Sequence, residues 1–453
     1  MTTWASILSS MWLSLGIRLG RGYFYRLARH SAGLLDCLLG DLDDRANEQA
    51  LRRQLLRTLG SLLVVGGGLL GLLGGAWAIW WGLVGPGARP VAAWGWGLAM
   101  LAGLLPWLDL LRRRRSAYPE LARLWHELIL DHPALHQRIA QVDRRFRRSP
   151  VPPAESHFVV VSGLARAGTT SLTQQLHARG TFAALTYQHM PLLLAPHLWP
   201  RLHQPGRLRA RPRAHGDALA HDLRSVEAFE ECFFRTQLGE AYCRGPQLLP
   251  HAVSIDTYQA YLRYQQALRP DERHGYLAKN NLLLLRYPSL RAHNPDFVAI
   301  FLFREPLAQA HSLWQQHLRF TAMQQADPFV LRYMDWLGHH EFGRHHRPMH
   351  WPDDPPLPDS PQALTYWLAL WQRYHRHLLD VSHPQTVLID YADYVATPQA
   401  VLARLSAWLP CPLDLQPLPP YPPRPLPDHD LPGDQLAEAR DLYQRLRARR
   451  LVP

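Results

Sequence analysis

The stretch "HFVVVSGLARAGTTSLTQQLHARG", residues 157–180, narrows the fold of this 453-residue chain more than any other feature. His157 to Val161 is an apolar, β-branched run that predicts a buried strand. "SGLARAG" supplies a glycine-rich turn, and Thr169 to Ala178 continues as a helix. A strand that turns tightly into a helix N-terminus presents backbone N–H groups, with the helix dipole behind them, to an anion. An α/β fold with a phosphate-binding turn is the direct implication.

The spacing Gly163-x4-Gly168 is that of a Walker A loop, but Thr169 follows where that motif has its lysine. The positive charge lies inside the loop instead, at Arg166. A second strand–helix unit, "DFVAIFLFREPLAQAHSLWQQH", runs from 296 to 317. Its apolar strand ends in Arg304, and Ser312 follows eight residues later on the helix. A guanidinium and a hydroxyl so placed can converge on one phosphate. A Walker B strand would end there in a metal-binding Asp, so this unit contacts an anion rather than organising magnesium.

Two long stretches carry no charge at all, Thr58 to Ala88 and Pro90 to Leu108. About 20 apolar residues cross a bilayer, so these read as two spans joined by "GPGARP". Gly67, Gly71 and Gly75 in the first, and Gly95, Ala99 and Gly103 in the second, give each a small-residue face for close packing. Trp77, Trp80, Trp81, Trp94 and Trp96 gather at the turn end, as an interfacial belt does. Arg52, Arg53 and Arg57 precede the first span, and Arg112 to Arg115 follow the second, with Arg89 in the turn. The positive-inside rule then places both termini in the cytoplasm, in a bacterial-type inner membrane. No cleavable signal peptide is evident, and residues 4–29 read as an interfacial amphipathic helix.

The expected organisation is an N-terminal amphipathic segment over 1–53, a transmembrane hairpin over 54–115, a linker helix over 116–155 and a catalytic domain over 156–453. The net charge of +12 points to anionic partners such as nucleotides or anionic lipid. Nucleic acid is not expected, because no basic tract with interleaved aromatics lies outside the membrane flanks. Cys37, Cys232, Cys243 and Cys411 are scattered without a CxxC pair, which argues for reduced thiols.

Taken together, the two anion motifs resemble those of sulfotransferases that use 3′-phosphoadenosine-5′-phosphosulfate (PAPS). That family's Arg/Lys-x-Gly-Thr-Thr loop for the 5′-phosphosulfate is matched by Arg166, Ala167, Gly168, Thr169 and Thr170, with Ser171 next in the helix. Its strand-end Arg and following Ser for the 3′-phosphate are matched by Arg304 and Ser312. "YQHMPLLLAPHLW", "SVEAFEECFFR", "YLAKNN", "YMDWLGHHEFG", "YWLALWQRYHRHLL" and "TVLIDYADYVATPQAVLARLSAWL" are similar as well, so the likeness covers about 156–450. It implies a P-loop-like three-layer fold with a central parallel sheet flanked by helices, preceded here by the two-helix transmembrane hairpin. It also implies PAPS as co-substrate, no metal, and a hydroxyl acceptor on a glycan, glycolipid or lipid-linked precursor.

The resemblance assigns roles too. Lys279, the chain's one lysine among 49 basic residues, lies in "YLAKNN", where relatives place a cation against the transferring group. His189 in "TYQHMP" is the first choice of general base, with Glu230 and Glu231, then Glu227, as alternatives. His215 and Asp217 could line the acceptor pocket. The histidines of "HHEFGRHHRPMH" (339–350) read as a wall near the acceptor rather than a metal site, and the Pro-rich 409–432 as an extended connector. The small-residue faces would also serve a homodimer. Two competing readings stand beside this one: a P-loop kinase-like phosphotransferase, and a non-catalytic nucleotide-binding membrane protein.

Overall fold

A computed structural model describes residues 2–39, 45–84, 120–146, 158–199, 211–212, 220–221, 225–239, 242–358, 360–421 and 432–453. It divides into two compact units, residues 1–138 and 139–453.

In the first unit, α1 (Thr2–Leu39) and α2 (Arg45–Val84) run antiparallel. Ser9 Oγ donates to the Ala76 carbonyl (3.0 Å) and Trp12 Nε1 to that of Leu72 (3.1 Å). At the other end Gln54 Nε2 and Thr58 Oγ1 donate to the His30 carbonyl. Glycines allow the approach: a Cβ at Gly16 would lie 1.9 Å from the Leu72 side chain, and one at Gly75 would lie 2.6 Å from the Trp12 indole. Gly67 and Gly71 meet nothing within 4 Å. So α1, expected as an interfacial amphipathic helix, is the described partner of α2. Its Trp12 takes the place at Gly75 that the sequence reading gave to the second span. That second span, 90–108, and the turn before it lie outside the described residues.

Among the described residues one helix, Gln49–Trp81, is long and apolar enough to cross a membrane. Only 11% of its most apolar window is buried, and Leu63, Leu70 and Trp77 are exposed. This differs from a soluble core helix, whose apolar stripe would be covered. Helices α3 (Glu120–Leu130) and α4 (Pro133–Asp143) follow, and Arg29 pairs with Glu127 at 2.5 Å.

The second unit is built on a five-stranded, wholly parallel sheet: β1 (Phe158–Ser162), β2 (Phe182–Ala183), β3 (Gly275–Lys279), β4 (Val298–Phe303) and β5 (Thr386–Asp390). The spatial order is β2-β3-β1-β4-β5. Every residue of β1, β3 and β4 is buried, because helices cover both faces of a parallel sheet. This is why "FVVVS" and "VAIFLF" are apolar throughout rather than alternating. Register places Lys279 beside Val161 and Ser162 beside Phe301. Two short antiparallel ribbons, 211–212 with 220–221 and 243–244 with 247–248, lie off the main sheet.

The helices are α5 (Thr169–Arg179), α6 (Glu231–Leu238), α7 (Ile255–Leu268), α8 (Leu283–His293), α9 (Pro306–Ala326), α10 (Pro328–Trp336), α11 (Leu364–Asp380), α12 (Tyr391–Ala396), α13 (Pro398–Leu405) and α14 (Gly433–Ala448). Local chemistry sets several starts. Glu305 caps α9 by accepting the Ala308 N–H (2.7 Å) with Pro306 in the first turn, and Asp327 and Asp390 cap α10 and α12 likewise. Strand order reverses around β1, so the carboxyl ends of β1, β3 and β4 open onto a shared crevice, the usual ligand position in such sheets.

Candidate active site

The loop between β1 and α5 is wound tightly. Gly163 (φ 150°), Arg166 (φ 70°) and Gly168 (φ 97°) all have positive φ, and Ala167 N–H closes a turn onto the Leu164 carbonyl (3.2 Å). A Cβ at Gly168 would sit 2.5 Å from the Tyr391 ring, and one at Gly163 2.4 Å from the Leu302 carbonyl. Only glycine fits either place. Gln309 from α9 fastens the loop from below, donating to the Leu164 and Ala165 carbonyls (2.9 and 3.0 Å) while its oxygen accepts Trp371 Nε1 (3.0 Å). The α5 N-terminus has no side-chain cap and no acidic residue in its first turn, which suits a site for an anion.

The two motifs meet. Arg166 Nε donates to Ser312 Oγ at 3.1 Å, across 146 residues of sequence. Arg304 leaves the end of β4, contacts the Arg166 carbonyl (3.5 Å) and lies over the Tyr391 ring at 4.9 Å. Thr169, at the start of α5, is buried. Ser171 is placed differently: its hydroxyl pairs with those of Tyr394 (3.1 Å) and Tyr421 (3.3 Å), so it joins α5 to the Pro-rich connector.

Lys279 ends β3, buried, with its ammonium 2.5 Å from Glu227 Oε1. The same oxygen accepts the Ala228 N–H (3.2 Å) and the Thr170 hydroxyl (3.5 Å). Glu227 therefore ties the lysine to α5. The residue ranked last among the carboxylates by sequence is the one that touches both elements.

Glu230 and Glu231 lie behind this pair rather than in it. Glu230 accepts hydrogen bonds from Tyr276 (2.9 Å), Tyr261 and Asn280 Nδ2 (2.9 Å), and burial pushes its pKa up despite those donors. Glu231 is buried against Arg286 at 2.7 Å. Burial alone would raise its pKa, but the guanidinium's charge and hydrogen bond outweigh burial and lower it. Asn280 spans both carboxylates, and its Oδ1 takes the Leu282 N–H while its own N–H donates to the Val161 carbonyl. This network fixes the 227–231 turn against the end of β3.

His189 occupies a structural post. It belongs to a capping box in which its Nδ1 accepts the Thr186 N–H at 3.0 Å, and burial lowers its pKa to about 4. With Nδ1 committed as acceptor, the neutral ring carries its proton on Nε2 and offers a donor there, the reverse of what a base needs. His215 and Asp217 lie outside the described residues. The histidines of 339–350 are engaged separately: His339 with the Ala228 carbonyl (2.9 Å), His345 with Asp335 (2.8 Å) and His346 with Tyr366 (2.8 Å). Among the described residues no group of three or more His, Cys, Asp or Glu is arranged to hold a metal.

No family model and no curated protein matches the chain. Three solved structures do. Sulfotransferase STF1 from Mycobacterium tuberculosis H37Rv is 14% identical, over 66% of this chain and 80% of that one, with a TM-score of 0.36. A sulfotransferase from Alicyclobacillus acidocaldarius is 16% identical, over 65% and 97%, with a TM-score of 0.32. Sulfotransferase STF9 from Mycobacterium avium is 15% identical, over 79% and 84%, with a TM-score of 0.35. At these identities and scores, the functional reading rests on the site's own residues.

Proposed function

We propose that the chain is a membrane-associated sulfotransferase that moves a sulfuryl group from PAPS to a hydroxyl on a glycan, glycolipid or lipid-linked acceptor at the cytosolic leaflet. The observation that carries this is the 3.1 Å contact between Arg166 and Ser312. It brings the two anion motifs onto one site, next to the Lys279–Glu227 pair.

The residues fit a doubly phosphorylated nucleotide. The glycine-bound loop leaves no room for a Cβ, the α5 N-terminus lacks a side-chain cap, and the lining supplies cations and hydroxyls. Arg166, the first-turn amides of α5 and the Thr169 and Thr170 hydroxyls would hold the 5′ side. Arg304 and Ser312 would hold the 3′-phosphate. PAPS supplies an activated sulfuryl group with a phosphate as leaving group. Transfer of this kind passes through a loose transition state, so the protein's work is positioning and charge stabilisation. Lys279 would supply the point charge that neutralises the leaving oxygen. Glu227, at 2.5 Å from the lysine, would accept the acceptor's proton, in preference to His189.

The kinase reading conflicts with Thr169 where the Walker lysine would be and with Arg304 at the end of β4. Thermal melting separates the two. Adenosine 3′,5′-bisphosphate at 100 times its Kd should stabilise the protein by about 2.7 kcal/mol and exceed ATP with magnesium at equal concentration. A larger shift with ATP overturns the sulfotransferase reading. Binding of the bisphosphate with no sulfate transfer to any of a panel of acceptors would favour the non-catalytic one.

A further inference from the structure

A cavity of about 440 Å³ opens between α9, α11 and the 343–348 segment, within the range of about 300–1,000 Å³ typical of small-molecule sites. Two routes tie it to the crevice. Along α9, His317 and Thr321 line the cavity five and nine residues beyond Ser312, about 7 and 14 Å along the helix axis at 1.5 Å per residue. Along the histidine-rich segment, His339 is bonded to the carbonyl next to Glu227, and Glu341 accepts Asn281 Nδ2 at 2.8 Å, two residues after Lys279. The same segment then forms the cavity wall at Gly343, Arg344 and His346.

The lining is polar without being acidic. Among the described residues no Asp, Glu or Lys contributes to it, and Arg344 is the one formally charged residue there. Burial keeps both imidazoles neutral, lowering His317 and holding His346 at about 3. The hydrogen bonds assign their tautomers. His317 Nδ1 accepts the Gly343 N–H (3.2 Å), so its proton is on Nε2, facing the Gln362 amide at 3.2 Å. The Gln362 atom at that distance is the amide nitrogen, so the amide must turn over for its oxygen to take the Nε2 proton. His346 Nδ1 donates to the His340 carbonyl (3.1 Å), and its Nε2 accepts the Tyr366 hydroxyl (2.8 Å). The Tyr366 oxygen thus keeps its acceptor capacity. Thr321 also lines the cavity, and its buried hydroxyl has no hydrogen-bond partner among the described residues. Fixed neutral donors and acceptors, set among the flat faces of Pro246, Pro348 and Pro361, match a ring that carries hydroxyls on its edge and C–H groups on its faces.

We propose that this cavity is a carbohydrate subsite that holds a sugar ring of the acceptor beside the transfer site; the acceptor role rests on the sulfotransferase reading above. The test is saturation-transfer NMR on the full chain in nanodiscs, with methyl glucoside, methyl galactoside, N-acetylglucosamine and cellobiose as probes. Ring protons of at least one probe should receive saturation. The signal should fall at least tenfold in Thr321→Phe, which fills the cavity, and in Gln362→Ala. Should Thr321→Phe fail to fold, Gln362→Ala decides. No saturation with any probe, or equal saturation in a folded variant, overturns the subsite. Sulfate transfer to these sugars with an unchanged KM in both variants also overturns it. Sugar binding of the predicted kind without any transfer from PAPS instead overturns the sulfotransferase reading and leaves a carbohydrate site with another purpose.

Discussion

Lys279 and Glu227 are buried together, and removing either charge leaves the other uncompensated, at a cost of about 3–5 kcal/mol in comparable pairs. Alanine substitutions here therefore confound stability with chemistry. Glu227→Gln also removes the charge but keeps the shape and an oxygen for Lys279, so its kcat is read on protein whose folding is first checked by melting. If Glu227 takes the acceptor's proton, kcat should fall by about 10²- to 10⁴-fold. The decline of kcat/KM toward low pH, which reports the base becoming protonated, should disappear with it. His189→Asn, whose side-chain oxygen can still take the Thr186 N–H, should keep that acid limb. An acid limb that vanishes in His189→Asn and survives in Glu227→Gln would return the base to His189. On protein shown by melting to be folded, Lys279→Ala should lower kcat far more than it lowers PAPS affinity, because the charge it stabilises develops only in the transition state. Comparing kcat with nucleotide Kd in the two proteins checks this.

The β1–loop–α5 and β4–α9 elements were legible in the sequence because each is a contiguous pattern: an apolar run, a glycine turn or strand-end arginine, then a helix. The loop's conformation adds what spacing alone could not. Gly168 is held at φ 97° against the Tyr391 ring, two elements away in space and over 200 residues on in the chain. Gly168→Ala should cost about 1–3 kcal/mol from the left-handed backbone alone, with the ring clash added, and should weaken adenosine 3′,5′-bisphosphate binding. Adding Tyr391→Ala should recover only the clash part of the lost melting temperature. Full recovery in the double variant would show that the backbone angle is not the constraint.

Other elements were illegible for a physical reason. Glu227 lies in an irregular turn whose path is set by Lys279 on Glu227 itself and by Asn280 and Tyr276 on Glu230, partners about 50 residues away. No local period marks it above Glu230 or Glu231. The two-residue strand β2 and the sheet order are tertiary outcomes of the same sort. The pairing of α1 with α2 depends on Gly16 and Gly75 meeting large side chains from the opposite helix, a match that neither helix shows by itself.

On the scale of the whole molecule, the chain joins two kinds of surface. Residues 139–453 bury their apolar side chains around a parallel sheet, whereas α2 shows Leu62, Leu63, Val64, Leu70 and Trp77 to its surroundings. Leaving such a row in water is unfavourable at about 25 cal/mol per Å² of apolar surface, and lipid is the environment that removes the penalty. Wild-type protein should accordingly stay with membranes through a sodium carbonate wash. Leu63→Asp with Leu70→Asp introduces two charges into the middle of Gln49–Trp81, at about 2.5–3.5 kcal/mol each on the insertion scale. The double variant should partition to the soluble fraction while the melting of residues 139–453 and the binding of adenosine 3′,5′-bisphosphate remain as in wild type. Release of the wild-type chain by carbonate would mean that the α2 row docks on protein instead. The side of the membrane is a separate question, and the arginines flanking the apolar stretch answer it with a forecast: protease should digest residues 139–453 in inverted inner-membrane vesicles and spare them in right-side-out spheroplasts. Protection in inverted vesicles would overturn the cytosolic placement of residues 139–453.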